Sequence, residues 1–262
     1  MNAKTIEFSE RSRLLEQTAF EFSLQDIPEP NLYRELFPYD EVPKVSFNHR
    51  KVPLHMPDHI WITDTTFRDG QQSRAPYTVE QIVHLFKLLH KLGGPKGLIR
   101  ASEFFLYSEK DKKAVYECQS LGYEFPEITS WIRASRKDFE LVKDMEIKET
   151  GMLVSCSDYH IFNKLKMTRK QALEHYLDVV KQALEFGIIP RCHFEDITRA
   201  DFYGFVVPFA AELMKLSKET GIQIKIRACD TMGFGVTYPG AALPRSVQGI
   251  IYGLRHHAHV PS

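Results

Sequence analysis

Net charge is absent from this chain. Its 262 residues carry 34 Lys plus Arg against 34 Asp plus Glu. A general nucleic-acid binder shows a basic excess, so that class is set aside. A local basic patch for a phosphate or carboxylate on a small molecule remains open. Long apolar runs are also missing. The longest, Phe202 to Met214, is broken by Gly204, Pro208 and Glu212, and it falls short of the ~18 residues a membrane span needs. Met1 to Arg13 is polar and mixed in charge, unlike a secretory signal. Cysteine is scarce: Cys118, Cys156, Cys192 and Cys229 lie far apart, with no CxxC for zinc or redox work. Thiols scattered in this way read as reduced, packed hydrophobes of a cytoplasmic protein. No GxGxxG follows the first strand and no GxxxxGK[ST] occurs anywhere, so the nucleotide-binding open-sheet folds lose weight.

Two kinds of segment are present. Residues 1–58 form a proline-punctuated arm, with Pro28, Pro30, Pro38, Pro43, Pro53 and Pro57. Proline removes a donor and biases its predecessor to extended geometry, so an extended arm is expected, with one short helix over Glu10–Phe20. The aromatics Phe20, Phe22, Tyr33, Phe37 and Tyr39 imply that the arm packs on something, either a partner subunit in a homodimer or the chain itself.

Residues 59–262 alternate short apolar runs with amphipathic helices. The strand candidates are Ile60–Thr65, Leu98–Phe105, Glu127–Ile132, Glu149–Ser155, Ile188–Phe194 and Ile222–Cys229. Continuous apolar or β-branched runs of this kind mark buried parallel strands. Helix starts are legible at Thr78/Gln81, Ser108, Ser135 and Thr168/Gln171, and stops at Gly93-Gly94, Gly122 and Gly187. The pattern predicts an α/β fold of the (β/α)₈ TIM-barrel type. About six of the eight strand–helix units are found, so the chain reads as a partial barrel and a piece of a longer protein.

The polar residues collect at strand C-termini, where such barrels place their chemistry. The first strand ends in DTTFRDGQQ, residues 64–72. The Asp69 carboxylate there can hold a hard divalent cation such as Mn²⁺ or Mg²⁺. The Arg68 guanidinium can stabilise charge developing on a carbonyl oxygen. A local ion pair without catalytic duty is the competing reading. Further down the chain come Ser157-Asp158-Tyr159-His160, then Arg191-Cys192-His193-Phe194-Glu195-Asp196-Ile197-Thr198-Arg199-Ala200-Asp201, then Cys229-Asp230-Thr231-Met232-Gly233.

DTTFRDGQQ resembles the signature of the metal-dependent acyl-CoA lyase and synthase superfamily. The later segments follow it in strand order over roughly residues 60–262. SEFFLYSEKD, SDYHIFNKLK, CHFEDITRADFYGF and DTMGFGVTYPGAALPRS look closest to its Re-type citrate synthase branch. The resemblance implies a Claisen-type condensation of acetyl-CoA with a 2-oxo acid, oxaloacetate being the expected acceptor. Isopropylmalate or homocitrate synthesis, a hydroxyacyl-CoA lyase and an inactive remnant are the alternatives. It implies Arg68, Glu195 and Thr231 as catalytic, and Asp69 as the ligand of a divalent metal. Gln72, Glu103, Arg133, His160, His193 and Arg199 would contact substrate. The family's metal also takes an HxH pair from a seventh strand. His257 and His259 form an HxH, but at the end of a helical run, where i and i+2 face different sides. They are read as something other than the metal pair.

Overall fold

A computed structural model describes residues 6–34, 56–72, 74–133, 135–237 and 241–261. Expectations for Phe37 and Tyr39 therefore lie outside the described residues. The chain divides into two compact units. One comprises residues 1–56, 153–178 and 193–262; the other comprises residues 57–152 and 179–192.

The expected helix over Glu10–Phe20 is replaced by a hairpin. Strands β1 (Ile6–Ser9) and β2 (Leu14–Gln17) pair antiparallel, with Ile6 opposite Gln17 and Ser9 opposite Leu14. The cause is local. Arg13 takes φ 57°, a left-handed conformation that no helix interior tolerates. Its N–H bonds back to the Ser9 carbonyl at 2.8 Å, and the Ser12 N–H reaches the Ser9 hydroxyl at 3.3 Å. The short polar turn thus satisfies its own backbone, and periodicity over four-residue strands is too brief to signal. From residue 18 to 33 the arm has no regular structure. It packs on its own chain. The Gln25 N–H bonds the Gly204 carbonyl at 3.0 Å, and the Phe20 N–H bonds His257 Nδ1 at 3.1 Å.

The regular part follows the sequence reading closely. It runs β3 (Ile62–Asp64), α1 (Val79–Gly93), β4 (Ile99–Phe104), α2 (Glu109–Gln119), β5 (Glu127–Trp131), α3 (Arg136–Asp144), β6 (Glu149–Ser155), α4 (Arg169–Glu185), β7 (Ile189–Glu195), α5 (Val207–Thr220), β8 (Lys225–Ala228) and α6 (Val247–His257). Thr78, Ser108 and Ser135 each build a full capping box at the helix they open. Thr168 and Gln171 exchange the same reciprocal bonds ahead of α4. Each box satisfies two donors that a helix start would otherwise leave unpaired.

The strand order is β3-β4-β5-β6-β7-β8, and the pairs from β3 to β6 are parallel. Strictly sequential parallel order with a helix in each crossover is the (β/α)₈ topology, here with six of its eight strands. The helices bury one stripe each. In α1 Val79, Ile82 and Phe86 face inward, at the expected three- and four-residue spacing. Cys118 and Cys192 are buried, which pushes both thiols up to about 12. That fits packing rather than reactivity. Among the described residues no helix is long and apolar enough to cross a membrane.

Geometry demands a glycine at residue 97. Gly97, before β4, has φ 60°, and a Cβ there would lie 2.4 Å from the Phe125 ring. Gly97→Ala combines left-handed strain with overpacking, so a loss of about 1–3 kcal/mol is expected. Urea unfolding of the variant beside the parent measures it.

Candidate active site

Each unit carries one polar cluster at the ends of its strands. In the unit of residues 57–152 and 179–192, Arg68 lies in the loop after β3. Its guanidinium meets Asp69 at 2.6 Å and Glu103 at 2.9 Å, and stacks 4.2 Å above the Trp131 ring. Glu103, fully buried near the end of β4, is also paired with Arg191 of β7 at 2.5 Å. Arg191 bonds Glu149 of β6 as well, and Thr129 of β5 at 3.4 Å. The result is an alternating chain of charge: Asp69, Arg68, Glu103, Arg191, Glu149. Such groups tolerate removal from water only because each has an opposite neighbour. Asp69 is its wet end, with its side chain 52 % exposed.

Gln72 and Arg133 lie on the rim of this unit. Gln72, with Gln71, Pro76, Phe105 and Lys110, lines a cavity of about 380 Å³. Arg133 is largely exposed, packs over Tyr107 at 4.6 Å and lies 4.0 Å from Asp138 of α3.

In the other unit the centre is Glu195, the last residue of β7. Its Oε2 accepts from the Ser155 hydroxyl at 2.5 Å, meets His160 Nδ1 at 2.9 Å and takes Lys164 at 3.5 Å. Burial pushes this carboxyl up. The hydrogen bonds from His160 and Ser155, with the charges of His160 and Lys164, outweigh burial and bring it down to about 2. Glu195 is therefore an ionised carboxylate at neutral pH, poised to hold an imidazole in place.

Asp196, next to it, adopts φ 64° and is fully buried. It accepts from Ser157 at 2.5 Å and from Arg199 at 2.6 Å. Its N–H donates to the Thr231 hydroxyl at 2.8 Å. Thr231 thus ties the β8 loop to the end of β7, while its O–H reaches the Cys229 carbonyl at 3.4 Å. His193 sits inside β7, 3 % exposed. His257, by contrast, belongs to the arm's dock. It accepts the Phe20 N–H and packs against Phe22 and Tyr203.

For a cation, the fit is poor. Among the described residues no group of three His, Cys, Asp or Glu side chains is arranged to hold a metal ion. Asp69 shares its Oδ2 with Arg68.

A family model described as HMGL-like matches residues 59–259. The chain belongs to the HMGL-like family. It is 61% identical over 248 residues to a "Citrate (Re)-synthase" of Clostridium kluyveri, covering 95% of this chain and 55% of that protein. It is 61% identical over 247 residues to a "Citrate (Re)-synthase" of Syntrophus aciditrophicus, covering 94% of this chain and 39% of that protein. A "2-phosphinomethylmalate synthase" of Streptomyces hygroscopicus is 38% identical over 245 residues, covering 92% of this chain and 56% of that protein. The chain thus spans about half the length, or less, of these curated relatives.

Within this HMGL-like chain the sequence reading missed several members of the clusters. Arg191, Ser155 and Asp196 pair with residues it named, and Glu149 pairs with Arg191. A signal existed for two of them: a charge in the middle of an apolar strand, as with Arg191, or at its head, as with Glu149, needs a buried partner. Arg191→Met would take the Arg191 cation from Glu149 and leave Glu103 paired with Arg68, so a loss of about 3–5 kcal/mol is expected in urea unfolding.

Glu195→Gln tests the second cluster through pH. The native carboxyl titrates below its unfolded value of 4.5, so its ionised form adds stability above that pH. The contribution disappears as pH falls from 4.5 toward 2. The gap in urea midpoint between parent and variant is expected to hold constant at neutral pH and to close across that window.

Proposed function

We propose that this chain carries out part of a Claisen-type condensation of acetyl-CoA with a 2-oxo acid, and that the acid is oxaloacetate, giving citrate. The observation that carries the reading is 61% identity to two proteins named citrate (Re)-synthase, over 94–95% of the chain. The clusters supply compatible chemistry. In the reaction the methyl carbon of acetyl-CoA loses a proton and attacks the ketone carbon of the 2-oxo acid. The ketone oxygen gains negative charge and then a proton, and water cleaves the thioester.

Arg68 fits the charge-stabilising role. Its guanidinium is mostly buried, stacked on Trp131 and held from behind by Glu103, so it is oriented before any substrate arrives. The His160–Glu195 pair fits proton handling. A fixed carboxylate orients the imidazole and sets which ring nitrogen faces the substrate. Thr231, Arg199, Gln72, Arg133 and His193 are proposed to contact substrate, Thr231 and Arg199 through its carboxylate. The divalent metal that the family resemblance implies, Mn²⁺ or Mg²⁺, belongs to the proposal for the whole protein, with Asp69 as one ligand. No step is assigned to it.

A panel of 2-oxo acids with acetyl-CoA and Mn²⁺ tests the reading. The expected result is CoA release with oxaloacetate and citrate as product. CoA release with 2-oxoisovalerate but none with oxaloacetate would overturn the choice of acceptor. Acetyl-CoA formed from hydroxymethylglutaryl-CoA would favour a lyase instead.

A further inference from the structure

The largest fully buried side chain among the described residues is Arg169, at the first turn of α4. Its guanidinium forms a two-pronged bond to Asp158, Nε to Oδ1 at 2.9 Å and Nη2 to Oδ2 at 2.7 Å. A third contact runs from Nη1 to Asp201 at 3.0 Å, and a fourth from Nη1 to the Gln25 carbonyl at 3.1 Å. Asp158 lies two residues before His160, and Asp201 lies six residues after Glu195. One buried cation thus joins the segment bearing the histidine to the loop that follows the carboxylate.

The arm closes over this junction. The Asn31 N–H donates to Asp158 Oδ2 at 2.7 Å, and the Tyr159 hydroxyl donates to the Leu32 carbonyl at 2.8 Å. The Lys170 N–H donates to Asp26 Oδ1 at 3.2 Å. Tyr33 hydrogen-bonds Asp201, and its hydroxyl is pushed well above the ordinary range, first by burial and then by the Asp201 charge. Gly204 completes the fit. A Cβ there would lie 2.5 Å from the Asp201 carboxylate, whose Oδ1 accepts the Gly204 N–H at 2.9 Å.

We infer that Arg169 is a positioning residue that, under the strap of residues 25–33, sets the geometry of the His160–Glu195 pair. A fork-shaped donor fixes two carboxylates in direction as well as distance, which a point charge cannot do. The strap excludes water from the junction and keeps those bonds strong. The arm is in this sense a component of the site's support. The role in catalysis rests on the proposed condensation; the geometric role does not.

The test compares Arg169→Lys and Tyr33→Phe with the parent and with Glu195→Gln, by ¹H–¹⁵N spectra of the histidine rings. Lysine keeps the charge and gives up the fork; phenylalanine removes only a hydroxyl from the strap. In both variants the His160 ring resonances are expected to move from the parent's toward those of Glu195→Gln. In the condensation assay kcat is expected to fall about 10–100-fold while KM for acetyl-CoA stays within about twofold. Parent-like His160 resonances beside a lowered melting temperature would make Arg169 an ordinary buried ion pair and overturn the inference. If Arg169→Lys fails to fold, Tyr33→Phe carries the same decision. If the parent itself shows no condensation, the proposed reaction fails, and the ring spectra still decide the role of Arg169.

Discussion

Arg169 and Arg191, in different units, are both held almost wholly out of water, and each is flanked by two carboxylates. Arg191 lies between Glu103 and Glu149, and Arg169 between Asp158 and Asp201. A lone guanidinium in such a place would cost several kcal/mol. Two carboxylates and one further oxygen, Thr129 Oγ1 for Arg191 and the Gln25 carbonyl for Arg169, offset that, and the carboxylates are in turn held by the cation. Loss of either arginine takes a cation from two buried or half-buried carboxylates at once. The polar clusters are for this reason rigid, although they are built from loops and strand ends.

That rigidity has chemical use. Groups meant to meet developing charge must be oriented before the charge appears, because reorganising them during the reaction would cost what they are meant to supply. Arg68 gains its orientation from Glu103 and the Trp131 face. His160 gains its orientation from Glu195, itself fixed by Ser155 and Lys164. In both clusters the residue facing outward is backed by one that faces inward.

The arm shows where sequence reasoning reaches its limit. Pro28 and Pro30 lie in a stretch without regular structure, but Glu10–Arg13 forms the turn of a hairpin instead of the start of a helix. Four-residue strands give too little pattern to separate the two, and a hydrogen-bonded turn decided the matter. The arm's aromatics were equally ambiguous between a partner subunit and the chain itself. Phe22 against Tyr203 and His257 resolves the described part in favour of the chain.

Strand ends, helix caps and the order of the units were set by local chemistry. Thr78, Ser108, Ser135 and Thr168 each cap with neighbours three residues away, so the residue string alone determines them. The same holds for which polar residues sit at strand C-termini, since alternation of strand and helix fixes those positions. Which charge pairs with which was decided only by tertiary structure. Arg191 finds Glu103 across 88 positions of sequence, and Arg169 finds the Gln25 carbonyl across 144. Nothing local distinguishes those partners from other carboxylates and carbonyls. Only the folded interior, by withdrawing water, forces each buried charge to the one opposite group within reach.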